Sequence, residues 1–188
     1  MIKNILLHLH LVNKHRFTVF KLCCKSGILF RGLVHDLSKY SPIEFFESVK
    51  YYQGNYSPIR NCKKDKGYSE AWIHHTGRNK HHHEYWYDYD APEENPVIPY
   101  KYTVEMICDT LAAGMTYQKE KWTNDYQLNY YLRVRKKIHI NDAIDKVLLE
   151  VYTKIKEEGI DNTLNPKNLK KIYYKNVGDY NAKRNKKS

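Results

Sequence analysis

Ten histidines are spread along a chain of 188 residues, and several stand near carboxylates in an order that suits metal chemistry. The densest motif is Gly32-Leu33-Val34-His35-Asp36-Leu37-Ser38-Lys39. His15 precedes it. His74 and His75, then His81, His82 and His83, follow in two clusters, and Asp109 comes later in an apolar stretch. Imidazoles and carboxylates drawn from separate helices, in the order His, His-Asp, His, His, Asp, make a ligand set for one or two divalent ions. Manganese, iron, cobalt, zinc and magnesium are not distinguished by such a set. The expected chemistry is that of a metal-dependent enzyme.

Each member also has a plainer reading. An isolated His-Asp pair is common. His15 on an apolar helix face fits a buried, hydrogen-bonded histidine, and His8 shares that face as a rival. At most one or two of the consecutive His81, His82 and His83 can face inward. Asp109 lies in Met106-Ile107-Cys108-Asp109-Thr110-Leu111, where a carboxylate is costly unless it is paired or bound to metal. It is the joint occurrence, in this order, that favours a site.

Helices must bring these residues together. Apolar residues recur at helical spacing through most of the chain. A first helix is expected over about 3–25, with Leu11, Val12, Val19 and Leu22 on the face that carries His8 and His15. Ser26-Gly27 ends it, with glycine suited to the left-handed terminal position. A second helix follows to His35, and Ser41-Pro42 reads as a cap and first turn of a third. Residues 53–68 read as a loop. Ser69 caps a helix through His75, His81 to Tyr85 form a further turn, and 88–99 form a proline-rich loop. Helices are expected over 100–119, 124–137 and 142–158, with a short last helix from Asn165-Pro166. No alternating strand pattern is present, so the fold class is all-α. If the first two helices are antiparallel, the rises from His15 to the turn (roughly 16 Å) and from the turn to His35 (roughly 12 Å) put the two histidines within about one turn of the same level.

The composition is that of a single globular domain: 41% of residues are hydrophobic, too many for global disorder. The net charge of +11 is uneven. Residues 167–188 hold eight Lys/Arg against one Asp, a net +7, which leaves +4 for residues 1–166. The expected organisation is therefore one helical domain over 1–166, then a short helix and basic tail over 167–188. The tail suits weak, sequence-independent nucleic-acid binding or plain solvation. Four cysteines without paired spacing read as reduced thiols of a cytoplasmic protein. No segment is long enough to span a membrane, and the N-terminal run lacks a signal-peptide cleavage site.

The ordered set His15, His35-Asp36 with Lys39, and Asp109 resembles the HD superfamily of metal-dependent phosphohydrolases, and the extra histidines resemble its two-metal branch. More closely, Gly32 to Phe45, Ala71-Trp72-Ile73-His74-His75 and Arg78-Asn79-Lys80-His81-His82 are similar to a family of small bacterial and phage proteins. The resemblance covers about residues 8–120 and implies a bundle of five or more helices around the metal. It implies His15, His35, Asp36 and Asp109 as ligands, completed by one of His74/His75 and one of His81/His82/His83, taken as His75 and His82. On this basis the chain is expected to hydrolyse a small phosphate monoester or diester, with a nucleotide as one option. Asp36 would bridge the metals and take a proton, while Lys39, Arg78 and Lys80 would hold substrate phosphate. A di-iron oxygenase would use the same ligands differently. A third class is a non-enzymatic, basic helical protein that binds nucleic acid.

Overall fold

The structure is a computed structural model. It describes residues 2–54 and 56–185, without the side chains of 183–185. Nine α-helices are present among the described residues: α1 (Ile2–Lys25), α2 (Leu29–Val34), α3 (Pro42–Lys50), α4 (Pro58–Lys66), α5 (Glu70–Thr76), α6 (Tyr100–Gln118), α7 (Tyr126–Val134), α8 (Asp142–Thr163) and α9 (Pro166–Asn185). Short 3-10 helices at Leu37–Tyr40, His83–Trp86, Lys119–Lys121 and Arg135–Lys137 join them, and no strand occurs among the described residues. The chain is all-α.

The central helix is α6, which packs against α1, α2, α7 and α9. A single core joins Val19 and Cys23 of α1, Ile107 and Leu111 of α6, Val151 and Ile155 of α8, and Leu169 and Ile172 of α9. Helix α3 packs on α1, α4 and α5, and so holds part of the site on a flank of α1.

The α1–α2 hairpin is set by two glycines. Gly27 takes the left-handed conformation (φ +76) and leaves no room for a side chain, since a Cβ would stand 2.6 Å from Pro166 Cγ at the start of α9. Gly32 lets α2 approach α1 closely: a Cβ there would meet Cys23 Cβ at 2.7 Å and the Phe20 Cα at 3.1 Å. Ser41 caps α3 by accepting from the Glu44 N–H, and Ser69 caps α5 by accepting from the Trp72 N–H.

Three expectations are corrected. The segment 53–68 is not all loop, because Pro58 starts α4 and Gly67 (φ +83) ends it. Lysines in the last turn favour the helix through the dipole, but it buries only Pro58 and Cys62, too little for a visible apolar period. Helix α8 runs on to Thr163, with a kink at Gly159 (φ 81, ψ 167). The last helix is not short: α9 has 20 residues. Its Leu169, Ile172, Tyr173 and Asn176 recur at helical spacing and are buried, so the start of the basic segment belongs to the core.

Candidate metal centre

The site forms where α1, α2, α5 and α6 converge. His35 follows the last residue of α2, and Asp36 takes the left-handed conformation (φ 52, ψ 30). An aspartate tolerates that region better than most residues. It turns the chain so that His35 and Asp36 both face α6. Arg16, next to His15 on α1, locks the turn: its Nε donates to the His35 carbonyl (2.7 Å) and its Nη2 to the Leu33 carbonyl (3.0 Å).

Two groups of side chains share Asp36. One is His15, His35, Asp36 and Asp109; the other is Asp36, His75, His81 and His82. Asp36 Oδ2 faces the first group, 3.3 Å from His35 Nε2 and 3.9 Å from His15 Nε2. Asp36 Oδ1 faces the second, 3.4 Å from His75 Nε2 and 3.3 Å from His81 Nε2. Asp109 Oδ1 lies 2.9 Å from His15 Nε2 and 3.3 Å from His35 Nε2.

The residues fit a divalent ion in each group. Asp36 Oδ2 pairs with Lys39 and His15 Nε2 lies against Asp109 Oδ1, but Asp36 Oδ1 and the Nε2 atoms of His35, His81 and His82 are buried without a hydrogen-bond partner, although they crowd together. Such atoms are costly unless something satisfies them. The candidate ligand atoms in each group lie within 4.8 Å of one another. Ligands about 2.0–2.2 Å from a common ion stand roughly 3–4 Å apart.

A shell of carboxylates orients the histidines from outside. Glu44 on α3 accepts from His75 Nδ1 and His74 Nδ1, each at 2.7 Å. Glu105 on α6 faces His35 Nδ1 at 3.1 Å and His81 Nδ1 at 3.3 Å, and pairs with Arg31 at 2.7 Å. Burial pushes the Glu105 carboxyl up, but His35, His81 and Arg31 outweigh it and hold it at about 2. Burial likewise raises Asp36, yet His35, then Lys39 and His75, keep it well below the usual carboxylate range. Asp109 is held low by His15 and His35 against the same burial. Burial disfavours charge on Lys39, but Asp36 and Asp109 raise its pKa above the ordinary lysine value.

The sequence-predicted residues separate clearly. His15, His35, Asp36, His75, His82 and Asp109 come together, and His81 joins them beside His82. His74 instead pairs with Glu44, and His83 lies 3.5 Å from Glu84. His8 is buried against Phe45 and Tyr52. Burial and Lys39 depress its pKa to about 4, and it belongs to neither group.

A cavity of about 750 Å³ opens over the two groups and includes His15, Lys39 and Asp109 in its wall. Arg78 and Lys80 do not line it. Arg78 is exposed, and the Lys80 ammonium sits over the rings of Tyr85 and Tyr102. Arg60 of α4 and Arg133 of α7, which are also exposed, line the cavity instead. Sequence reasoning missed these two, along with Glu44 and Glu105. Glu105 had a usable signal, since it precedes Asp109 by one turn on an apolar helix. The arginines had none, because nothing local marks which distant helices close a cavity.

Fold and site together define an all-helical protein with a buried, divided histidine–carboxylate cluster. The chain belongs to DUF5662, a family of unknown function whose pattern matches residues 4–154. That stretch contains every residue of both groups and stops short of α9. No curated protein and no solved structure matches the chain.

Proposed function

We propose that the chain is a metal-dependent phosphohydrolase acting on a small phosphate monoester or diester, with nucleotides among the candidates. The observation that supports this best is the division of one buried carboxylate, Asp36, between two groups of buried histidine nitrogens beneath a cavity that carries cations. The resemblance of the His15, His35-Asp36 and Asp109 order to the HD superfamily points the same way.

His15, His35, Asp36 and Asp109 would hold one divalent ion, and Asp36, His75, His81 and His82 the other. Ions held there supply Lewis acidity toward a phosphoryl oxygen and lower the pKa of a water. The chain's own groups do the rest. Asp36 fixes the spacing of the two groups and stays ionised, so it can accept a hydrogen bond from an O–H. Lys39 sits at the cavity wall and can turn an N–H toward a phosphoryl oxygen. Arg60 and Arg133 attract the anion. Tyr56, Tyr117 and Tyr130 line the wall and offer ring faces and hydroxyls to the rest of the ester.

The test is phosphate release from a panel of nucleotides and simple phosphomonoesters and phosphodiesters, with manganese, cobalt, iron or magnesium added to metal-free chain. Release with at least one ion supports the hydrolase. Oxygen consumption with reduced iron and no phosphate release replaces it with a di-iron oxygenase. Neither activity, with salt-sensitive nucleic-acid binding lost on removal of the C-terminal lysines, replaces it with a binding protein.

A further inference from the structure

We propose that Glu105 is a positioning residue that ties the two histidine groups together by fixing the orientation and tautomer of one histidine in each. The proposal rests on the metal reading above.

Glu105 is fully buried on α6. One of its oxygens, Oε1, lies 3.1 Å from His35 Nδ1 and 3.3 Å from His81 Nδ1. These are the outer nitrogens of rings whose Nε2 atoms face Asp36 from its two sides, each at 3.3 Å. An imidazole that ligates through Nε2 carries its proton on Nδ1 and needs an acceptor there. One carboxylate oxygen has lone pairs for two donors. His81 Nδ1 is buried without a formed hydrogen bond, and Glu105 Oε1, 3.3 Å away, is an acceptor within its reach. The second oxygen, Oε2, is held by Arg31 Nε of α2 at 2.7 Å. That bond keeps the carboxylate from rotating away from either ring. Arg31 in turn lies 5.0 Å over the Tyr102 ring.

Glu44 supplies the contrast. It orients His75, a member of the second group, and His74, a member of neither. Loss of Glu44 therefore touches one group, whereas loss of Glu105 touches both.

The experiment is titration of the full-length, metal-free chain with cobalt(II), followed by visible absorbance. It compares wild type with Glu44→Ala, Glu105→Ala and Glu105→Gln. Wild type is expected to fill two sites. Glu44→Ala should weaken one of them by about 10- to 100-fold, and Glu105→Ala should weaken both by about that factor, with the cobalt bands shifted in both. Glu105→Gln keeps an accepting amide oxygen and should fall between wild type and Glu105→Ala at both sites. Far-ultraviolet circular dichroism of the metal-free variants checks folding. If Glu105→Ala does not fold, a loss at both sites in folded Glu105→Gln supports the proposal, and wild-type binding by that variant overturns it. Weakening of one site only, or of neither, in folded Glu105→Ala also overturns it, while leaving the metal reading intact. Wild-type chain that takes up no cobalt overturns the metal reading and this inference together.

Discussion

The Lys39 ammonium lies 2.6 Å from Asp36 Oδ2, the same carboxylate oxygen that faces His15 and His35. A cation fixed beside a ligand oxygen competes with a metal ion for it. It also stands ready to meet a phosphate that arrives from the cavity. These two effects have opposite signs and can be separated by substitution.

Lys39→Ala should bind metal at least as tightly as wild type and turn over substrate more slowly. Loss of one charge-assisted hydrogen bond of about 1.5–3 kcal/mol corresponds to a rate lower by about 10- to 100-fold. Metal content and kcat, measured on the same sample, check this. A variant that loses its metal would show that Lys39 supports the ligand geometry instead.

Asp36→Asn should empty both groups, because Asp36 is the one residue they share. His15→Ala should empty only the first and His82→Ala only the second. Asparagine suits the left-handed backbone of this position, so the fold should survive. Elemental analysis after exhaustive dialysis measures the outcome. Full metal retention by Asp36→Asn would contradict the division of its carboxylate between two ions.

The cavity wall predicts which cations recognise substrate. Arg133→Ala and Arg60→Ala should raise KM by several-fold with little change in kcat, since both line the cavity and neither belongs to the ligand groups. Arg78→Ala and Lys80→Ala should leave KM unchanged. Steady-state kinetics on whichever phosphoester is cleaved provides the comparison.

Two truncations separate the core part of α9 from its end. Removal of residues 175–188 should lower the melting temperature modestly. It takes away the Asn176 bonds to Glu150 and to the Ile172 carbonyl but keeps Leu169, Ile172 and Tyr173. Removal of residues 166–188 should be severe, because each of those three buried side chains contributes roughly 1.5–3 kcal/mol. The Tyr173 hydroxyl bond to the Ile98 carbonyl is lost as well. Thermal denaturation of the two chains gives the contrast, and equal melting temperatures would argue against a core role for α9.

The sequence alone determined the helical class and the identity of most of the inward-facing groups. Helical periodicity, the Ser41 and Ser69 caps and the Gly27 turn are local, and local signals survive in a one-dimensional string. So does the order His15, His35-Asp36, Asp109, which needs only a hairpin and one later helix to converge. Tertiary structure decided the rest. Within His81-His82-His83, the direction of each ring depends on the turn before the 3-10 helix, so His81 and His82 join the histidine–carboxylate cluster while His83 lies beside Glu84. Between His74 and His75, the choice follows from how α5 packs on α3, which gives both rings to Glu44 but only one to Asp36. Arg60 and Arg133 replace Arg78 and Lys80 at the cavity because their helices close its wall, a relation between distant segments. The length of α9 stayed hidden because its lysines mask a narrow apolar stripe. Only the packing against α8 and α6 shows that Leu169, Ile172 and Tyr173 complete the core.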